Sequence, residues 1–455
     1  MAATDRTDVM NLDLAPRGRP TPTGTSAETA AGAATGTVGA APRDRTRTAT
    51  LAGISALAAV VGPGLIAGLS DDDPAGITTY SVLGASYGYS LLWVLGVSTI
   101  ALILFQDLGA RIGVVTGQGL AGLIRQRYGA RAGVLSVSAL FIANVGTTTA
   151  EFAGIAAGCE IFGIPKPVSV PAAAVLVSAL VLRGGFRGIE RVLLGLSAVF
   201  VAYIGAGILA RPDWGAAARG LVVPTLPTTR DAIVICTATL GTTLAPWGLA
   251  FIQSYAVDKK LSPRHLNLLR IDVISGAVLT GVIGFFVVVA CAATLHARGT
   301  AITDAASAAV ALEPLAGALA TQLFAVGLIG AALLAASILP LSTAYSVSDI
   351  AGRPAALDDT VRQAPLFYAT FATVTAIGAC LVLMPGISLV PILVGTQVLN
   401  AVLLLPLLAY MSGIAKDRTL MGRYAARPAV AWIYFTVIGL ISLCILALGV
   451  LSIPR

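Results

Sequence analysis

The sequence predicts an all-α polytopic membrane protein of about eleven transmembrane helices, built as two five-helix repeats of opposite orientation, each with a broken first helix. Three observations carry this reading. The composition is 56% hydrophobic and 11% charged, with a mean hydropathy of +0.88, which leaves too little polar surface to clothe a soluble globule of 455 residues. The apolar residues fall in unbroken runs of about twenty, the length that crosses a bilayer as a helix, whereas a membrane barrel would need segments of about ten with alternating polarity. Two of these runs, the first and the sixth, are interrupted halfway by a proline beside small residues, and in the first case also by three carboxylates.

Residues 1 to about 48 are rich in Ala, Gly, Thr, Pro and Arg and lack apolar periodicity. Such a segment cannot bury enough surface to offset the entropy of ordering, so it is expected to be a disordered cytoplasmic tail ahead of a transporter-sized membrane domain over 49–455. No short apolar core with a small-residue cleavage site follows its first charges, which excludes a secretory signal, and Asp5, Asp8 and Asp13 disfavour a transit peptide. The apolar spans then lie at roughly 51–86, 90–110, 133–160, 168–183, 192–210, 232–257, 271–296, 317–347, 365–384, 388–411 and 429–452. The first five form repeat one, about 51–210; the next five form repeat two, about 232–411; the span at about 429–452 is an addition.

Orientation follows from the basic residues. With the N-terminus inside, the inner loops hold Arg111, Arg125, Arg127 and Arg131; Arg183, Arg187 and Arg191; Lys259, Lys260, Arg264 and Arg270; Arg353 and Arg362; and Lys416, Arg418, Arg423 and Arg427. The outer loops hold only Lys166, Arg211, Arg219, Arg230 and Arg298. That bias, roughly three to one, places the chain in the cell membrane with the N-terminus cytoplasmic and the C-terminus outside. It also accounts for the formal charge of +7 without a nucleic-acid partner. The five cysteines lie in or beside apolar spans with no metal spacing between any two, so buried free thiols are expected. No nucleophile and base are grouped in any loop, which argues against an enzyme, and no resident cofactor is implied. The chain is expected to act as a monomer whose partners are the bilayer and a small ion.

The breaks carry the chemistry. A block of five spans that follows another block of five sits upside down in the membrane, so the C-terminal ends of the first half-helices of spans one and six are expected to meet at mid-depth. Pro74 and Pro246 cannot donate to a helix ladder, and Gly76 and Gly248 loosen the backbone beside them. Unpaired carbonyls at such helix ends attract cations, and a charge at bilayer depth costs about 2.5 to 3.5 kcal/mol on insertion scales, so Asp73 is expected to serve an ion. The plainer reading of Asp71–Asp73 is a solvated loop between two short helices, but each flanking piece could span only half a bilayer. For Ala245-Pro246-Trp247 taken alone, a simple proline kink is the plainer reading, and only the pairing of the breaks raises it.

At this point the residues resemble a known family. Gly62-Pro63-Gly64-Leu65, Asp73-Pro74-Ala75-Gly76 and Arg111 to Ala121 (RIGVVTGQGLA), continued by Ala150-Glu151-Phe152, Gly241 to Pro246 and Thr396-Gln397-Val398, look like the Nramp family of divalent metal transporters, which have a LeuT-like fold. The resemblance implies a divalent cation held by Asp73, with Gly76, Ala245, Thr242 and Gln397 around it and Asp72 widening the acidic mouth. The departures are informative. Members that carry manganese or iron usually have an asparagine where this chain has Gly76 and a methionine where it has Ala245, followed by a histidine where it has Trp247. A thioether suits transition metals, whereas carboxylate, carbonyl and water suit Mg²⁺, which keeps several waters. The resemblance is therefore greatest to the divergent Nramp-related magnesium transporters, and the small residues are expected to leave room for a hydrated ion.

Protons are the second departure. Coupled members carry an acid three positions before the span-three glutamate, and here that position is Thr148, with Glu151 retained. The expectation is weak or absent proton coupling, with Glu151 a structural partner to an arginine at a helix end. Gln397 is either a direct or second-layer ligand or an interhelical hydrogen-bonding group, Asn400 either of these, Gln253 a vestibule residue, Thr242 and Thr243 ligands or caps, and Gln106 and Asp107 packing and gating residues. Three other readings are a proton-coupled manganese or iron importer, a LeuT-like carrier of a small organic substrate, which the triple aspartate opposes if the substrate is an anion, and a non-transporting membrane sensor, which would need a soluble domain.

Overall fold

The computed structural model describes residues 71–182, 198–225, 229–258, 261–303, 305–353, 359–386 and 389–451. The N-terminal tail, the first half of span one with its Gly62-Pro63-Gly64-Leu65 motif, and Arg183, Arg187, Arg191, Lys259 and Lys260 lie outside the described residues.

Among the described residues the chain is helical throughout. In order, the main helices are α1 (Pro74–Tyr87), α2 (Leu92–Thr116), α3 (Leu120–Tyr128), α4 (Ala130–Ile161), α5 (Lys166–Leu182), α6 (Ala202–Leu209), α7 (Trp214–Val222), α8 (Arg230–Thr243), α9 (Pro246–Asp258), α10 (Leu266–Cys291), α11 (Ala320–Ile350), α12 (Pro365–Leu383), α13 (Leu389–Lys416) and α14 (Pro428–Leu451). Eight stretches are long and apolar enough to cross a membrane, with α8 and α9 counted together, and α5 and the 199–209 stretch are shorter apolar helices. With the described part of span one, these match the eleven expected spans.

The breaks are short. Asp71 is still helical, Asp72 and Asp73 are not, and α1 restarts at Pro74 with Asp73 as its N-cap: the Asp73 carboxylate accepts the Gly76 amide at 2.5 Å. Proline is tolerated in that first turn because its missing N–H would have had no partner there. In span six, α8 ends at Thr243, Leu244 and Ala245 leave the helix, and α9 restarts at Pro246. Pro246 has no N–H to return to the Thr242 carbonyl, so the ladder is cut at that point.

The broken span six is the most enclosed of the eight candidates, with 94% of its apolar window buried, whereas α14 is the most peripheral, with 11%. Around the breaks, α8 packs on α1 and α13, α4 on α11, α12 and α13, and α9 on α2 and α11. Gly154 of α4 lets the Pro74 ring press against its bare backbone, a contact any side chain would block. Thr243 is the polar knot of this core. Its hydroxyl lies 2.9 Å from the Tyr80 hydroxyl, accepts from Ser98 Oγ at 3.1 Å and donates to the Thr239 carbonyl at 2.8 Å, tying α8 to α1 and α2. Beyond it, the Asp107 carboxylate pairs with Arg270 at 2.6 Å, joining α2 to α10.

Candidate metal site

The two breaks meet. The bare face of Gly76 looks at three oxygens, because a Cβ at that position would stand 2.8 Å from the Asp71 carbonyl, 3.2 Å from Asp73 Oδ1 and 3.2 Å from Thr242 Oγ1. One oxygen comes from the end of the first half-helix, one from the N-cap of α1 and one from the last turn of α8. Asp71, Asp72, Asp73 and Thr242 are all at most 3% exposed. Both carboxylate oxygens of Asp71 and of Asp72, and the Thr242 hydroxyl, have no hydrogen-bond partner in the structure. Buried polar groups are nearly always partnered, so such a concentration of orphan oxygens marks a place built for a ligand.

Asp71 is the residue that sequence reasoning left out of the ligand set. Its side chain crosses to the other break: Oδ1 lies 3.6 Å from where a Gly248 Cβ would stand, beside the first turn of α9. The N-terminus of a helix attracts negative charge, which explains why the carboxylate leans there. It accepts no hydrogen bond in doing so. The three consecutive aspartates were visible in the sequence, but in an unwound stretch no helical period fixes which of them points where.

Glu151 of α4 is fully buried, and its carboxyl lies against that of Asp73. The arginine expected as its partner is not there: neither Glu151 oxygen has a partner, and it takes part in none of the ion pairs among the described residues. Among the described residues Glu151 thus lies beside Asp73 and forms no salt bridge.

The other expected residues separate. Gln397 is buried and its backbone carbonyl presses against Gly241 of α8, but its side-chain oxygen accepts from Asn400 at 2.9 Å, and only its Nε2 is unpartnered. Asn400 in turn donates to Thr147 Oγ1 at 2.9 Å. In this arrangement the pair links α13 to α4, with one hydrogen bond on the Gln397 oxygen. The Ala245 side chain sits in an apolar cluster with Trp247, Phe251, Leu334 and Ile338, while its carbonyl accepts the Gly248 amide at 3.2 Å. The Trp247 ring fills that same cluster against α11, with its indole N–H unpartnered and its carbonyl bonded to Ser342 Oγ at 3.2 Å. Thr148 packs against Gly378 of α12. Gln253 donates to the Gln118 carbonyl at 3.1 Å, closing α9 onto the turn after α2. Asn144 donates to Thr343 Oγ1 at 2.7 Å, joining α4 to α11.

A side chain at Gly76 would run into oxygens, and the small side chain of Ala245 is taken up in packing against α11. Among the described residues no three His, Cys, Asp or Glu side chains converge as a metal-holding group. The donor set is thus mixed: a carboxylate, a hydroxyl and a main-chain carbonyl, with the second carboxylate of Asp71 opposite. Such oxygen donors suit hard divalent cations, with water completing the coordination.

Comparison with known proteins agrees with this architecture. The family model described as natural resistance-associated macrophage protein-like (Nramp) matches residues 64–451. A protein named divalent metal cation transporter MntH, from Burkholderia ambifaria, is 31% identical over 387 residues, covering 82% of this chain and 85% of its own length. A solved manganese transporter from Eremococcus coleocola superposes with a TM-score of 0.71 at 19% identity, covering 90% of this chain and 88% of its own. The fold extends further, to Mhp1, a nucleobase-cation-symport-1 family transporter, at a TM-score of 0.56 and 15% identity, covering 87% of this chain and 91% of that one. The all-α, LeuT-like architecture is shared with these transporters, and the chain belongs to the Nramp family.

Proposed function

We propose that this protein is a secondary transporter whose principal substrate is Mg²⁺, with Mn²⁺ also accepted, working by alternating access around the paired breaks with weak or no proton coupling. It is a membrane-embedded divalent metal cation transporter of the Nramp family and not an enzyme. The preference for Mg²⁺ rests on a single observation, the oxygen-only meeting of the Asp71 carbonyl, Asp73 Oδ1 and Thr242 Oγ1 over Gly76. With alanine at position 245 the break has no thioether to favour a soft metal over a hard one. Asp73 supplies the fixed charge, held in place by the Gly76 amide, and Asp71, unpartnered and facing α9, supplies a charge that can follow the ion. The reading includes a monomer in the cell membrane with its N-terminus inside and C-terminus outside, supported by the distribution of Lys and Arg.

A second reading, proton-coupled import of manganese or iron, is favoured by one observation: Glu151 lies against Asp73 with no cationic partner. Adjacent intramembrane carboxyls are the usual parts of a proton relay. Uptake of Mg²⁺ and Mn²⁺ into proteoliposomes, measured in parallel with internal pH, separates the two. The first reading expects Mg²⁺ to compete with Mn²⁺, no substrate-driven acidification, and loss of uptake in Asp73→Ala. Manganese uptake indifferent to excess Mg²⁺, or acidification abolished by Glu151→Gln, would establish the second.

A further inference from the structure

Where α13 ends and α14 begins, the chain leaves a basic hollow with an apolar floor. A space of about 520 Å³ is lined by Lys416, Arg418, Ala431, Trp432 and Phe435 among others. It adjoins a second space of about 590 Å³ that shares Lys416 and Arg418 and reaches Arg127 and Asp417. The floor is aromatic and open, with Trp432 73% and Phe435 41% exposed.

The charges above this floor are not balanced. Asp417, the acid of the hollow, is already committed: it accepts from the Thr419 amide at 2.8 Å and hydroxyl at 2.5 Å, and from Arg127 Nε at 2.7 Å. Among the described residues neither Lys416 nor Arg418 has a carboxylate partner. The Lys416 ammonium instead stands 5.3 Å above the Phe435 ring. Two free cations at the rim of an aromatic groove, on the most peripheral apolar helix, match a molecule with an anionic head and a hydrocarbon tail. Water in the groove would leave Trp432 and Phe435 wetted, whereas an acyl chain covers them and the phosphate meets both cations. A zwitterionic head fits less well, because its own cation would face Lys416 and Arg418.

We propose that this hollow binds an anionic phospholipid, its phosphate between Lys416 and Arg418 and one acyl chain along Ala431, Trp432 and Phe435. The site is separate from the paired breaks and does not depend on which ion they carry. On the orientation read from the basic residues it faces the cytoplasmic leaflet, where anionic lipids are concentrated.

Native mass spectrometry of the purified full chain, titrated with phosphatidylglycerol or phosphatidylcholine of identical acyl chains, tests it. Phosphatidylglycerol is expected to be retained severalfold better, and the double variant Lys416→Gln/Arg418→Gln to lose retention by roughly fivefold for each cation removed. Removing the same charge elsewhere, as Arg264→Gln/Arg362→Gln, is expected to change nothing. Should the double variant fail to fold, Trp432→Ala is expected to lower phosphatidylglycerol retention severalfold. Equal retention of both lipids, unchanged retention in either test variant, an equal loss in the charge control, or displacement by glycerol phosphate as effective as by the lipid would overturn the proposal.

Discussion

Gly76→Ala is the smallest change that probes the meeting of the breaks. The added methyl carbon would stand 2.8 Å from the Asp71 carbonyl and 3.2 Å from both Asp73 Oδ1 and Thr242 Oγ1. A carbon ordinarily keeps about 3.3 to 3.6 Å from an oxygen even in a weak hydrogen bond, so all three contacts are too short and the first is short by about half an ångström. The two side-chain oxygens can swing away, each taking a ligand out of the site. The main-chain oxygen moves only if the break itself opens. Overpacking of this kind costs about 1 to 3 kcal/mol, which corresponds to a loss of roughly 5- to 150-fold in affinity if it is relieved at the ion's expense. The assay is divalent-cation uptake into proteoliposomes as a function of concentration, with Gly439→Ala on α14 as control, because no atom lies within 4 Å of a Cβ there. Wild-type uptake by Gly76→Ala, at matched protein incorporation, would refute the placement of the site. The same crowding predicts that Gly76→Asn, which restores the residue usual in the family, does not by itself create a transition-metal site.

Three further outcomes are expected. Asp71→Asn removes a buried, unpartnered charge facing α9 and should reduce uptake at least tenfold while leaving expression and elution unchanged; equal uptake would return Asp71 to a bystander role. Thr243→Val deletes the hydroxyl shared by Tyr80, Ser98 and the Thr239 carbonyl, and the orphaned groups should lower stability in detergent by about 1 to 3 kcal/mol, read as a fall in thermal midpoint. Asp417 is held at a pKa of about 2, below the ordinary 3.8, first by the Thr419 hydroxyl and amide and then by Arg127. Its folded pKa is depressed, so its contribution is present above the ordinary value and lost as pH falls through about 2. Asp417→Asn should therefore lower the thermal midpoint slightly at pH 5 and much less at pH 2, where the carboxyl is about half protonated, and an undiminished difference at pH 2 would contradict the assignment.

The parts of this molecule that obey a period were legible in the sequence, and the parts that depend on a side chain's direction were not. Apolar runs of bilayer length and the two prolines at mid-span were enough to place the spans and their breaks, because helix length and the missing proline N–H act locally. Asp73 was found because its neighbour is Pro74, which fixes it as the cap of α1. Asp71 was passed over because it faces Gly248, a residue far along the chain. The position of Glu151 beside Asp73 was hidden for a similar reason: α4 approaches the break closely where Gly154, one turn further along, admits the Pro74 ring. Gln397 read equally as a ligand or a hydrogen-bonding group, and its bond from Asn400, three residues on, is a pairing the helical spacing permits but does not require.

The contacts around the second half of span six bear on how the protein moves. Gln253 holds the Gln118 carbonyl at 3.1 Å, the Gly122 amide holds Asp349 at 2.5 Å, and Arg125 holds the Ile350 carbonyl at 2.5 Å. These three bonds join α9, α3 and the end of α11 on one side of the molecule. A typical hydrogen bond contributes about 0.5 to 1.5 kcal/mol net, so the three bonds of this latch amount to about 1.5 to 4.5 kcal/mol. A gap of that size leaves the unlatched form populated at a level between about 8% and somewhat under 0.1%. Under the alternating access proposed above, an ion that binds one form more tightly need shift the balance by only a few kcal/mol to exchange one access route for the other.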